Sequence, residues 1–306
     1  MPNQTPAPKL DRLGLLTSIS CYVLWGLFPL YFRMLNTAGA VEIIAYRATM
    51  TLLTCVVLIS LLPGASRRLL LALRSRQTVL VLAVAGLLIA CNWLIYIFGV
   101  NTGRTADAAI GYFLNPLITV ALGYVFLGER LRRLQVVSLA LAAIAVGVLV
   151  WAYGSFPWIS LSLAFSFGFY GLIKKKARAD TLSGLTLETA ALVPLALAYL
   201  AWAGWHGSAV LARGVELDWF TFALLLGTGP LTALPLLLFG YGAQRLPLRV
   251  VGLTQYTGPT IQFFIALFVF REPMPPSRFW AVALVWVAVA IFVADALRAA
   301  RKSRRS

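Results

Sequence analysis

Two ionisable residues lie well inside long apolar runs, Arg47 within Val41–Leu62 and Glu188 within Ser183–Gly204. A charge at the centre of a membrane helix costs about 2.5–3.5 kcal/mol on insertion scales, so a residue placed there is functional by default. Arg47 carries a permanent, planar fork of donors suited to a carboxylate or another anion. Glu188 is the acid best placed to carry a proton, and Asp107, at the start of the run Ala106–Leu127, is the second candidate for coupling. At 1.5 Å per residue, Arg47 and Glu188 each lie about 9 Å inside opposite faces, so direct pairing between them is not expected. For each, the competing reading is a side chain that snorkels to its nearer interface. For Asp107, Glu42, Glu129 and Glu272, at the ends of runs, it is a solvated or capping role.

Uncharged polar residues form a second set. Gly111-Tyr-Phe-Leu-Asn-Pro116 is followed 13 residues after the proline by Glu129, and Gln255-Tyr-Thr-Gly-Pro259 is followed at the same distance by Glu272, the two copies being offset by 143 residues. Proline lacks the N–H that would bond the carbonyl four residues back, so the carbonyls of Tyr112 and Gln255 need other partners in a medium without water. Asn115-Pro116 and Gly258-Pro259 fall roughly 12–15 Å into their runs, near the membrane midplane. Asn92 and Tyr96 share a helix face four residues apart, with Trp93 beside them, and Trp25 sits near the middle of the first run. The expected substrate-binding set is therefore Trp25, Arg47, Asn92, Tyr96, Tyr112, Asn115, Gln255 and Tyr256, with Pro116, Gly258 and Pro259 as helix breaks that serve gating. The plainer readings are simple kinks at the prolines, a helix-to-helix hydrogen bond from Asn92 and an interfacial Tyr96.

The elements that must position these residues follow from composition. With 60% hydrophobic residues, 12% charged and a mean hydropathy of +0.86, the chain has the bilayer as its solvent and no room for a soluble domain. Ten spans are predicted: Leu13–Phe32, Val41–Leu62, Thr78–Val100, Ala106–Leu127, Leu134–Trp151, Pro157–Ile173, Ser183–Gly204, Trp219–Tyr241, Leu248–Phe270 and Arg278–Leu297. Residues 1–10 read as a disordered cytoplasmic leader, and the first span is too long and aromatic for a cleaved signal peptide. With both termini cytoplasmic, 20 of the 26 Lys and Arg residues fall on that side, five on the other, and Arg47 within a span. Cutting at the loop Tyr153–Phe156 leaves two groups of five helices, and an odd group size makes them inverted repeats: 11–152 and 157–297, followed by a basic tail, 298–306. Fainter echoes are Trp25-Gly26 against Phe167-Gly168, and Pro230 and Pro235 in the eighth span against Asn92 in the third.

Other classes fit poorly. The net charge of +16 comes from short clusters between apolar runs, which control topology rather than bind nucleic acid. Phosphate-cradling, zinc-protease and nucleophile-elbow motifs are absent, so no enzyme, cofactor or catalytic residue is expected. His206 is the single histidine and Cys21, Cys55 and Cys91 lie within spans, which gives no metal site.

Glu42-x-x-x-Tyr46-Arg47, Asn92-Trp93-x-x-Tyr96, Gly111-Tyr-Phe-Leu-Asn-Pro-Leu117, Tyr170-Gly-Leu-x-Lys174, Leu187-Glu188-Thr189 and Gln255-Tyr256-x-x-Pro259-Thr260 together resemble the RarD (chloramphenicol-sensitivity) proteins, in the EamA branch of the drug/metabolite transporter superfamily. The likeness runs from about residue 12 to 297. It departs at Tyr46, where the family pattern has His, so any proton role of that His has no counterpart here. The resemblance implies a ten-helix inverted-repeat carrier of the inner membrane, monomeric or homodimeric, with a central cavity for a small metabolite or drug-like molecule. Outside that class, the readings that remain are a membrane-embedded binding or scaffold protein and a membrane enzyme.

Overall fold

A computed structural model describes residues 11–128, 130–153, 156–174, 177, 179–208, 210, 219–246, 250 and 254–302. The leader 1–10, Glu129, loop residues 154–155, and Lys175, Lys176, Arg178, Arg213, Arg249, Arg304 and Arg305 of the basic tally lie outside the described residues.

Among the described residues the chain forms eleven α-helices: α1 Arg12–Met34, α2 Ala40–Leu61, α3 Ala65–Leu73, α4 Arg76–Asn101, α5 Thr105–Leu127, α6 Arg133–Tyr153, α7 Trp158–Lys174, α8 Thr181–Trp205, α9 Trp219–Arg245, α10 Thr257–Phe264 and α11 Pro276–Lys302. Six of these (α1, α2, α4, α5, α8 and α9) are long and apolar enough to cross a membrane, and α6, α7, α10 and α11 carry shorter apolar segments. The sequence itself sets several boundaries. Asp11 accepts from the N–H groups of Leu13 and Gly14 at 2.9 and 3.1 Å, and Ser75 accepts from Thr78 at 3.2 Å, each satisfying donors that a helix start leaves free. Gly128 ends α5 at φ 66°, a left-handed conformation that glycine adopts without steric cost.

Two expectations need correction, and one helix lies outside the expected spans. The connection between the second and third spans is helical: α3 follows Pro63-Gly64, buries Ala65 and Ala72, and exposes Leu70, Leu71 and Leu73. Its Arg67 and Arg68 give it the look of a loop in sequence. Pro116 does not interrupt its span, because α5 stays helical from Thr105 to Leu127. In the ninth span the discontinuity is a turn at Gln255–Tyr256, ahead of Pro259, which is the third residue of α10. A first-turn proline is tolerated there, since its N–H has no intrahelical acceptor. Beyond Phe264 the helix widens into a π-turn, Ile265–Val269.

The most extensive packing joins α5 to α7, α6 to α11, α2 to α8, α1 to α9, α2 to α9, α4 to α7, α1 to α10 and α4 to α8. With no hydrophobic force between helices in lipid, such packing rests on close approach at small residues. A methyl group at Gly86 of α4 would lie 2.6 Å from the Glu188 carbonyl oxygen of α8, and one at Gly229 of α9 would overlap the Met50 carbonyl of α2. The outward surface is apolar and aromatic: Trp151, Trp205, Trp219 and Phe268 are all largely exposed.

Candidate functional site

A cavity of about 360 Å³ lies within the bundle. Trp25, Arg47, Asn92, Tyr96, Tyr112, Asn115 and Gln255 all line it, as do Gly258, Pro259 and Glu188. The expectation fails for Tyr256, whose ring stacks on Phe113 with centroids 6.2 Å apart and packs into the α5–α11 core. Pro116 and Asp107 are also absent from the lining. Asp107 instead pairs with Arg104 at 3.0 Å in the first turn of α5.

Arg47 is buried rather than snorkelling. Its Nε donates to Thr232 of α9 at 2.9 Å, and its guanidinium stands 3.8 Å from the Trp93 ring centroid, with Phe28 and Phe32 beyond at 5.7 and 5.4 Å. Among the described residues no carboxylate pairs with it. A desolvated cation held by aromatic faces and a single hydroxyl keeps donors for an incoming anion.

Glu188 is equally buried and has partners the sequence did not reveal. Lys174 places Nζ 2.7 Å from Oε1, and the Tyr170 hydroxyl donates to Oε2 at 3.1 Å. Lys174 reads in sequence as part of a cytoplasmic basic cluster. Its spacing of four from Tyr170 puts both on one face of α7, and that face turns inward.

Asn92 binds across helices and lines the cavity at once. Its Nδ2 donates to the Leu163 carbonyl and to Ser166 Oγ at 3.0 and 2.9 Å, while Oδ1 accepts from Tyr112 at 3.2 Å. Tyr96 is buried among Phe32, Ile97 and Leu163 rather than interfacial. The Tyr96 hydroxyl, Asn115 Oδ1 and Gln262 Oε1 are buried without a hydrogen-bond partner, and all three residues line the cavity. These atoms leave hydrogen-bonding capacity at the cavity wall. Gln262 escaped the sequence reading, although Gln255, Gly258, Pro259 and Gln262 recur at helical spacing.

At the α4–α5 connection the helix ends are tied together: Arg33 donates to the carbonyls of Val100 and Asn101, and Glu272 accepts from the N–H groups of Thr105 and Ala106 at 2.7 and 2.9 Å. On the same face Glu42 accepts from the Val210 N–H at 3.0 Å. The cavity lining reaches Ala179 and Thr181, at the connection from α7 to α8.

Among the described residues the chain is helical, with six helices long and apolar enough to cross a membrane around a polar and aromatic chamber, which defines a multi-pass membrane protein. The chain belongs to the RarD proteins of the EamA-like transporter family. The EamA-like transporter family model matches residues 12–151. Protein RarD of Streptomyces exfoliatus is 46% identical over 97% of this chain and 93% of its own length, and an uncharacterized transporter of Pseudomonas aeruginosa is 43% identical over 95% and 96%. A solved crystal structure of a protein shares the fold, with a TM-score of 0.58 at 19% identity over 93% of this chain and 98% of its own.

Proposed function

We propose that this chain is a secondary transporter that moves a small organic molecule, a metabolite or a drug-like compound, across the inner membrane by alternating access, in export or exchange and without ATP. One observation carries the reading: a single cavity inside the bundle gathers Arg47, Glu188, Asn92, Asn115 and Gln255 beside three orphaned polar atoms. The transporter relatives favour it over a membrane enzyme or a scaffold.

Alternating access is natural to a chain of ten spans folded as two inverted repeats, 11–152 and 157–297. The helix packing supports that architecture. Exchanging α1, α2, α4, α5 and α6 for α7, α8, α9, α10 and α11 turns the pair α5–α7 into α10–α1, α1–α9 into α7–α4 and α2–α9 into α8–α4, and leaves α2–α8 and α6–α11 unchanged. Close contacts follow the same exchange. Gly26 faces Ile261 as Gly168 faces Ile118, and Gly86 and Gly229, 143 residues apart, each press on a backbone carbonyl of the other half. The family match over residues 12–151 is nearly the first repeat. The basic asymmetry of 20 to five supports cytoplasmic termini. Cysteines introduced at positions 3 and 305 should then resist an impermeant thiol reagent applied to intact cells.

Proton coupling through Glu188 requires that it exchange Lys174 for a proton during the cycle. In that case Glu188→Gln removes the pH dependence of net flux in liposomes. Full pH dependence in that variant would move coupling off this residue.

A further inference from the structure

We propose that Glu188 and Tyr170 form a substrate-ammonium site in which Lys174 is a tethered, displaceable occupant, so that the solute carried through the cavity bears a primary organic ammonium. The inference rests on the carrier reading above and names its substrate class.

The lysine shows what the site recognises. Its Nζ lies 2.7 Å from Glu188 Oε1, 2.5 Å from the Tyr170 hydroxyl oxygen and 4.9 Å from the Tyr170 ring centroid. A carboxylate oxygen and a hydroxyl lone pair take two of an ammonium's three donors, and the carboxylate balances its charge. Tyr170 spends its own proton on Glu188, which leaves its oxygen to accept.

The pair is asymmetric in a way that decides which partner leaves. The Glu188 side chain is 2% exposed and its backbone carbonyl is pressed by Gly86, whereas the Lys174 side chain is 31% exposed at the last residue of α7. Gly184 stands beside the lysine stem, where a methyl group would meet Cε and Nζ only at 3.8 and 3.9 Å. The flexible lysine can therefore swing out while the carboxylate stays. The apolar body of an amine has Phe167, Phe239 and Trp25 as its wall.

Arg47 is the eighth of the 22 residues of α2 and Glu188 the eighth of the 25 of α8. In the proposed topology these helices enter from opposite faces, which puts the two Cα atoms roughly 9 Å apart along the membrane normal. The ammonium contacts come from Glu188 and Tyr170, and Arg47 is held separately by Thr232 and Trp93.

The test is a tryptophan-fluorescence titration of the purified full chain with 2-phenylethylammonium, with 3-phenylpropionate as the charge-reversed control. Removing a tethered competitor, whose effective concentration is of millimolar order, should raise the ammonium affinity of Lys174→Met at least about tenfold over wild type while phenylpropionate binding stays within about twofold. Lys174→Met leaves a buried carboxylate unpaired, so its lowered melting temperature should recover as phenylethylammonium is added. Lys174→Arg keeps the pair and holds the carboxylate in a fork, and should bind the cation more weakly than wild type. The double variant Lys174→Met/Glu188→Gln carries no unpaired charge and should not bind it at all. Equal ammonium affinity in wild type, Lys174→Met and Lys174→Arg overturns the proposal, as does saturable binding by the double variant. Cation binding without flux in liposomes would instead leave the site standing and remove the carrier reading.

Discussion

Gln262 donates its Nε2 hydrogen to the Trp25 carbonyl at 2.9 Å, and that carbonyl is the one whose helical donor is missing because residue 29 is proline. A side chain of α10 thus completes the backbone of α1 at the cavity wall, while its own Oε1 stays unpartnered. This relationship couples α1 to α10.

Gln262→Leu should strand the Trp25 carbonyl and cost about 1–3 kcal/mol of stability. In a Pro29→Ala background the restored N–H supplies the donor, so the same substitution should cost far less. A double-mutant cycle read by thermal unfolding measures the difference, and additive losses would show that Gln262 does not serve that carbonyl.

Pro116 and Pro259 should behave differently. Pro116→Ala restores a donor to the Tyr112 carbonyl in the middle of α5 and should raise the melting temperature while slowing transport. Pro259→Ala acts in the first turn of α10 and should leave stability within about 1 kcal/mol. A Pro116→Ala variant with unchanged flux would reduce that proline to scaffolding.

Gly86→Ala and Gly229→Ala press a methyl group onto a backbone carbonyl of the opposite half, a clash that no side-chain rotation relieves. Each should destabilise by about 1–3 kcal/mol, and by similar amounts if the halves are equivalent. Thermal melts of the two variants and of Gly147→Ala, whose added methyl meets nothing within 4 Å, make the comparison. Equal melting temperatures in all three would remove the close-packing account.

Sequence reading reached the six long apolar helices and most of the cavity because both depend on local rules. Arg47 and Asn92 stand out in apolar runs, and the spacing of Asn92 and Tyr96 fixes a shared face. What it missed depends on the opposite half of the molecule. Lys174 resembles a topology-setting lysine until α8 brings Glu188 to it, and nothing near Gln262 in sequence announces that Pro29 left a carbonyl to fill. Tyr256, two residues from Gly258, points away from the cavity because the turn at Gln255–Tyr256 rotates it toward Phe113. A strict helix continued through that turn would have hidden the change of direction.

Arg47→Ala should weaken binding of 3-phenylpropionate by about tenfold or more, in line with the loss of a charge-assisted contact. Arg47→Lys should recover only part of it, since an ammonium cannot stack on Trp93 as the planar guanidinium does. Fluorescence titration of the three proteins reads the ranking. Full recovery by lysine would mean that charge alone matters there.

The central claim is carriage, and counterflow tests it most directly. Purified protein in liposomes preloaded with a solute that raises its melting temperature in a ligand screen, then diluted into trace radiolabelled solute without ATP, should accumulate label transiently above equilibrium. Arg47→Ala should reduce that overshoot. Saturable binding of the same solute with label that only equilibrates at the rate of empty liposomes would contradict the account and leave a binding protein in place of a carrier.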